Sequence, residues 1–188
     1  MIIYIKKYLL PIFFIMLFVP ASHCKVVVFD HVTTIQKPTI IKVLTKAGFF
    51  AAGGLMVDIY LDNEPLKKIL TGGDGYGYLN YTPQEAGLKK ITAHSVKGSA
   101  SGLILVMAEN EKAILIEIEG AFKDSVFSDA IRERSQKAVN ALSENYKIIY
   151  LSRFLGKGIT GSWLEKQEFP KSVILRWRGP ITLKNMKK

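Results

Sequence analysis

Two glutamates, Glu117 and Glu119, stand two positions apart at the end of a short apolar run. Alternate residues of a strand share one face of its sheet, so we expect both carboxylates to lie on the same side and to share a role. A pair of carboxylates can supply a nucleophile, a general acid or base, or ligands for a divalent cation. The alternative is a pair of ordinary acids at a strand end, in ion pairs with Arg153 or Lys123.

The pattern around these glutamates predicts a parallel α/β sheet. The predicted strands are 113–118, 147–152 and 173–176, and the predicted helices between them are 128–145 and 160–168. Strand, helix, strand, helix, strand is typical of a parallel sheet with right-handed crossovers. Ligands of such sheets bind at the carboxyl ends of the strands. The polar residues expected there are Glu117, Glu119, Ser152, Arg153, Arg176 and Arg178.

Two of these segments resemble motifs of the haloacid dehalogenase-like (HAD-like) hydrolases, most closely the phosphatidate phosphatase branch with the lipin-type domain. They are Ile114-Leu-Ile-Glu-Ile-Glu-Gly-Ala121 and Tyr146-Lys-Ile-Ile-Tyr-Leu-Ser-Arg153. Thr160-Gly-Ser-Trp-Leu164, followed by Pro170 before the third strand, is similar to the next stretch of that branch.

The resemblance implies a nucleophile at Glu117, a general acid/base at Glu119, and phosphoryl binding by Ser152 with Arg153. It also implies Mg²⁺ with Glu117 as one ligand, and Lys184 in place of the third-motif lysine. The sequence departs from the family because both motif aspartates are glutamates here. A misplacement of about 1 Å at a reacting group can cost about a hundredfold in rate.

The family's last motif, an acidic pair that completes the metal site, would follow a further helix and strand, whereas the sequence ends at Lys188. We therefore expect residues 102–188 to form a truncated, degenerate and non-catalytic HAD-like domain with no resident cofactor. Its fold class would be a small three-layer α/β domain with a mostly parallel Rossmannoid sheet. The alternative is a weak Mg²⁺-dependent phosphatase acting on a phosphomonoester, with lipid-type substrates included.

The pattern of short apolar runs in residues 25–97 predicts a β-sandwich. Short runs rich in Val, Ile, Leu, Tyr and Thr recur at a spacing of roughly ten residues, separated by Gly, Pro, Asn and Asp. The runs are 26–29, 40–45, 55–61, 66–70, 76–81 and 88–95. Thr71–Pro83 followed by Gly87–Ala93 resembles the later strands of a bacterial immunoglobulin-like domain, which implies a binding or presentation module.

The boundary between the two predicted domains is set by small polar residues. Residues 97–102 are expected to form the linker because they contain Gly, Ser and Ala but no large apolar side chain. The following run, 103–107, is then expected to pair with 113–118 as a hairpin or a neighbouring strand.

The first 24 residues have the plan of a secretory signal. Lys6 and Lys7 precede an uncharged run, 8–21, which small and polar residues follow. About 14 apolar residues are too few to span a bilayer, so we expect an exported protein, periplasmic or secreted, that is not an integral membrane protein after cleavage. The alternatives are a permanent membrane anchor formed by this run and a lipid anchor at Cys24.

The whole composition excludes several classes of protein. With 48% hydrophobic and 22% charged residues, the 188-residue chain is globular and not disordered. One cysteine and three histidines supply neither a disulfide nor a structural zinc site. Lys6 and Lys7 account for two of the ten net positive charges, which leaves +8 after cleavage. The partners we expect are an unknown protein, a phosphorylated ligand or an acidic envelope surface.

The sequence also bears on two other ligands, NADP and nucleic acid. Gly156–Gly161 is a G-x-G-x-x-G segment between a strand and a helix, which leaves NADP binding as an alternative. Nucleic acid is not expected, because the positive charge is spread along the chain without a basic stripe, apart from Lys184, Lys187 and Lys188 at the C-terminal end.

Overall fold

The computed structural model describes residues 24–96, 98–122 and 134–177. Its strands are β1 Cys24–Val28, β2 His31–Thr34, β3 Thr39–Ala47, β4 Phe50–Ala51, β5 Met56–Leu61, β6 Glu64–Leu70, β7 Tyr76–Tyr81, β8 Gly87–Ser95, β9 Gly98–Met107, β10 Ala113–Glu117, β11 Lys147–Ser152 and β12 Ile174–Arg176. Its helices are α1 Ile118–Ala121, α2 Ser135–Ser143 and α3 Lys157–Lys166.

Strands β1 to β9 form a sandwich of two sheets. In the first sheet, β3 has β1 on one side and both β4 and β7 on the other, and all pairs are antiparallel. The second sheet has the order β2-β9-β8-β5-β6, in which β2 and β9 are parallel. Alternate apolar residues of both sheets, such as Ile41 and Val43 facing Ile59 and Ile91, fill the space between them. The predicted β-sandwich is therefore confirmed.

One part of the sandwich differs from the prediction. Residues 98–102, expected to form a linker, are the first half of β9 and pair with β8 from Ser95↔Gly98 to Ile91↔Gly102. The run 103–107 continues the same strand and pairs with β8 and β2, not with 113–118. The prediction was wrong here because small residues fit a strand as well as a linker. They suit this half of β9 because β1 approaches it closely.

Strands β10, β11 and β12 form a parallel sheet in that order, as the alternation of strands and helices predicts. Both connections run in the same direction across the sheet, so right-handed crossovers place their helices on one face. That face carries Ile148 and Tyr150 of β11, which pack with Val139 of α2 and Trp163 of α3.

The other face of the parallel sheet packs against the sandwich. Ile149 of β11 and Val173 form a buried cluster with Leu105 of β9. In the described residues, the sandwich thus takes the place that a second helical layer has in a three-layer domain. The helix predicted at 160–168 lies at Lys157–Lys166, and the one predicted at 128–145 is described at Ser135–Ser143, with 128–133 outside the described residues.

Candidate functional site

The candidate site lies at the carboxyl ends of β10 and β11. Glu117 is the last residue of β10, opposite Leu151, and Ser152 is the last residue of β11. Because the two strands are parallel and adjacent, both residues lie at the same edge of the sheet, where open α/β sheets bind ligands.

Glu119 does not share the strand face of Glu117. The strand ends at Glu117, and α1 begins at Ile118, so the alternation of side chains that the sequence suggested stops before Glu119. The Glu119 side chain is buried, and its residue retains 6% of its accessible surface. The expected pair of carboxylates on one face is therefore wrong.

The Glu119 carboxylate is bound by the loop that joins β11 to α3. Its oxygens accept hydrogen bonds from the backbone N–H of Arg153 at 3.1 Å, of Phe154 at 3.2 Å and of Leu155 at 3.3 Å. The Ser152 hydroxyl lies 2.8 Å from Oε1 of the same carboxylate. Successive backbone N–H groups that converge in this way form an anion-binding concavity, and here its anion is a side chain of the same protein.

Ser152 is fully engaged in this arrangement. Its Oγ lies 2.8 Å from both Glu119 Oε1 and the carbonyl oxygen of Leu155, so its one hydrogen serves one of them at a time. A carboxylate is the stronger acceptor because it is charged. Thr160 of α3 donates its hydroxyl hydrogen to Ser152 Oγ at 3.2 Å.

The environment of Glu119 favours the ionised carboxylate. Burial raises its pKa, but the hydrogen bonds from Ser152, Arg153 and Leu155 outweigh burial and hold the pKa of Glu119 below its usual range. The group is therefore a carboxylate at neutral pH and a poor proton donor. This opposes the general acid/base role that the family resemblance implied.

Glu117 is half-buried, and its side chain is turned toward α1, the helix that follows it. A Cβ added at Gly120 would overlap Oε2 of Glu117, so the carboxylate lies directly over Gly120. Within 24–96, 98–122 and 134–177, no three His, Cys, Asp or Glu side chains come together as a metal site would need. The described residues therefore do not fit the Mg²⁺ site that the resemblance implied for Glu117.

Arg153 enters the site through its backbone. Its side chain is exposed, and Cζ lies 5.4 Å from the ring centre of Phe154 and 5.8 Å from that of Trp177. The guanidinium thus packs with aromatic rings, while the Arg153 N–H binds Glu119. Lys123, the other partner expected for a glutamate, lies outside the described residues, as do Lys184 and Arg178.

Sequence reasoning missed a second buried carboxylate, that of Asp30, between the sandwich and the parallel sheet. Its Oδ1 accepts from the N–H of Leu103 at 2.7 Å and from Lys157 Nζ at 2.5 Å, and its Oδ2 accepts from the N–H of Ile174 at 2.8 Å. Lys157 also donates to the carbonyl oxygen of Val28 at 3.2 Å. No motif marks Asp30, because its partners come from three separate strands and helices.

The segment Gly156–Gly161 has the G-x-G-x-x-G spacing of a dinucleotide loop. Lys157 within it is bound to Asp30, and the residues just before it, 153–155, give their N–H groups to Glu119. The Lys157 ammonium group and the N–H groups of 153–155 are therefore bound within the protein and are not free to bind the phosphates of NADP.

Comparison with known proteins identifies no family for this sequence. No protein-family model matches the sequence. No curated protein sequence matches it either. Among the described residues, no helix is long and apolar enough to cross a bilayer.

Several solved structures are similar to part of the chain. They include the CARDB domain of a Pyrococcus furiosus protein in complex with di-metal ions, with 20% identity over 46% of this chain and 92% of that one and a TM-score of 0.34. Fibronectin(III)-like modules of CbhA from Clostridium thermocellum have 15% identity over 45% and 98%, with a TM-score of 0.34. Titin domain I10 has 9% identity over 44% and 99%, with a TM-score of 0.34. The pairing of β1 to β9 into two packed sheets identifies residues 24–96 and 98–107 as an immunoglobulin-like sandwich.

Proposed function

We propose that this is an exported binding or structural protein, in which the sandwich is the binding module and the parallel-sheet half is a non-catalytic, HAD-like remnant. The observation that carries the proposal is the position of the Glu119 carboxylate. It uses the Ser152 hydroxyl and three N–H groups of the loop, which are the donors that a phosphoryl group would need. A phosphate dianion approaching this loop would meet a negative charge that is already bound there.

The second candidate function is a weak Mg²⁺-dependent phosphatase with Glu117 as nucleophile. It is favoured by one observation, the position of Glu117 and Ser152 at the carboxyl ends of adjacent parallel strands. Against it stand the engaged Ser152 and Glu119, and the lack of metal ligands beside Glu117 in the described part of the chain.

A phosphatase assay separates the two functions. The full chain should not hydrolyse p-nitrophenyl phosphate or phosphatidate in Mg²⁺ or Mn²⁺ above the level of its Glu117→Gln variant. The reason is that neither an unoccupied phosphoryl site nor a metal site is present in the described residues. Turnover in the natural sequence that Glu117→Gln abolishes would overturn the non-catalytic proposal.

A thermal-shift measurement with inorganic phosphate tests the occupied loop directly. Glu119→Ala removes the carboxylate and leaves the Ser152 hydroxyl and the N–H groups of the loop without their acceptor. Phosphate should therefore raise the Tm of Glu119→Ala, because a ligand that binds the folded state stabilises it. It should leave the natural protein and the exposed-site control Glu109→Ala unchanged. An equal response of all three proteins would contradict the proposed occupancy.

A further inference from the structure

The hairpin between β3 and β4 exposes two phenylalanines. Ala47 pairs with Phe50, so the turn consists of Gly48 and Phe49, and Gly48 has the positive φ of 60° that the first position of a type II′ turn requires. Phe49 is 97% exposed and Phe50 is 80% exposed. Two adjacent phenyl rings exposed to water lower solubility. Exposed apolar patches of this kind are typical of interaction sites.

Other exposed apolar side chains lie at the same end of the sandwich. They are Met56 at 47%, Leu70 at 62% and Val96 at 86% exposure. Met56 pairs with Leu70 at the ends of β5 and β6, and the next residue, Val57, pairs with Ser95, which precedes Val96.

Backbone hydrogen bonds join this end of the second sheet to the base of the hairpin. Gly54 N–H donates to Thr71 at 2.9 Å, Thr71 N–H donates to Leu55 at 3.0 Å, and Thr45 N–H donates to Gly75 at 2.9 Å. The buried Thr45 hydroxyl also donates to the carbonyl oxygen of Ala52 at 2.5 Å. The apolar end, defined by Phe49, Phe50, Met56, Leu70 and Val96, is thus held on a fixed base.

The chain enters the sandwich at this apolar end. Cys24, the first residue of β1, is paired with Ala47, two residues before Phe49. The sequence just before Cys24 includes the uncharged run 8–21. A lipid anchor at Cys24, or a membrane-associated segment preceding it, would hold the apolar end against a membrane.

Two lysines, Lys25 and Lys46, flank the hairpin. Lys25 and Lys46 are directly opposite each other on β1 and β3, a like-charge pair that opposes pairing of the strands. Neither has an acidic partner among the described residues, and the sequence contains no acid from Thr39 to Val57. Asp74, an acid at this end, accepts a hydrogen bond from the N–H of Tyr76 at 3.0 Å. An anionic surface would neutralise the lysine pair.

We propose that the apolar end docks on an anionic lipid bilayer, with Phe49 and Phe50 inserted among the acyl chains and Lys25 and Lys46 at the headgroups. Apolar side chains bordered by lysines are the combination that binds interfaces of anionic lipid. The proposal goes beyond the non-catalytic function and does not depend on it, because it involves no residue of the parallel sheet.

The test places an environment-sensitive NBD group at Phe49→Cys in the full chain, in a Cys24→Ser background that leaves one thiol. The label should be quenched by acyl-brominated lipid in vesicles of phosphatidylcholine with phosphatidylglycerol, and much less in phosphatidylcholine alone. A label at Val96→Cys is a second reporter of the same end. A label at Asn63→Cys, in the β5–β6 turn at the opposite end of the sandwich, should remain unquenched.

The lysines provide the electrostatic part of the test. Each lysine near an anionic surface contributes about 1 kcal/mol, so Lys25→Ser and Lys46→Ser should each lower the ratio of buried to exposed label about fivefold. Equal quenching at positions 49 and 63, or no association with the vesicles, would overturn the docking proposal. Equal quenching of the Phe49 label with and without phosphatidylglycerol would overturn the choice of anionic lipid.

Discussion

The carboxylate of Glu119 acts as an internal anion that holds the loop 152–155 in place. Four donors converge on it, and the loop directly precedes α3. Donors left without an acceptor in a buried site cost about 1–3 kcal/mol each. We infer that Glu119 fixes the conformation of this loop, and that its importance is for stability.

Glu119→Gln should lower the free energy of unfolding by about 1.5–3 kcal/mol at neutral pH, because hydrogen bonds to a charged group are replaced by weaker ones and the amide N–H₂ faces other donors. Chemical denaturation of both proteins measures this difference. The control Glu109→Gln, at an exposed residue, should change it by less than about 0.5 kcal/mol. Equal effects at positions 109 and 119 would show that the loop does not depend on the carboxylate.

The effect of Glu119→Gln should also depend on pH. The pKa of Glu119 is lower in the folded protein than the unfolded value of about 4.3. Its stabilising contribution is therefore complete above the unfolded pKa and is lost as the pH falls through the folded pKa. The difference between the natural protein and the Gln variant should shrink on acidification below about pH 4.

At the scale of the elements, the small residues of β9 are explained by its packing against β1. Its first half consists of small residues because β1 passes close to it, and Gly102 lies directly against the buried side chain of Val28. A Cβ at Gly102 would stand 2.5 Å from Cγ1 and 3.0 Å from Cβ of Val28. A β-branched side chain has few rotamers with which to avoid such an overlap.

Gly102→Ala should therefore destabilise the protein by about 1–3 kcal/mol, the usual cost of overpacking a buried site. Thermal denaturation compares it with Gly73→Ala, where an added Cβ has no atom within 4 Å and should be almost neutral. If residues 97–102 were a linker, both substitutions would be equally mild.

At the scale of the molecule, Asp30 and Lys157 join the sandwich to the parallel sheet. The Asp30 side chain is completely buried, whereas that of Lys157 is 33% exposed. Asp30 binds the N–H of Leu103 in β9 and of Ile174 in β12, and the apolar cluster of Leu105, Ile149 and Val173 lies across the same contact. We therefore expect the two halves to unfold together.

Asp30→Asn should separate the two halves in calorimetry. The substitution removes the charge that pairs with Lys157 and turns an N–H₂ group toward backbone donors, and each buried donor left without an acceptor costs about 1–3 kcal/mol. The natural protein should show one transition, and the variant should show an earlier melting of the parallel-sheet half. The control Asp58→Asn breaks an exposed ion pair with Lys68, worth at most about 1 kcal/mol, and should keep the single transition. A single transition in Asp30→Asn at the temperature of the natural protein would contradict this coupling.

Local patterns in the sequence were enough to predict most of the strands and the parallel sheet. The runs at 40–45, 55–61, 66–70, 76–81 and 88–95 correspond to β3 and β5 to β8, and 147–152 corresponds to β11. Such runs are recognisable because alternation, β-branched residues and turn residues act over a few positions. The position of Glu117 and Ser152 at one edge of the sheet follows from the same strands.

Three features were decided only by the tertiary structure: the sheet to which β9 belongs, the partner of Glu119, and the link through Asp30. Glu119 binds Arg153 across 34 positions of the sequence, and Asp30 binds Ile174 across 144. The donors in both cases are backbone N–H groups, which every residue except proline carries, so no residue type reveals them in advance. A carboxylate predicted to do chemistry therefore serves as a structural anion, because folding brings an anion-binding loop to it.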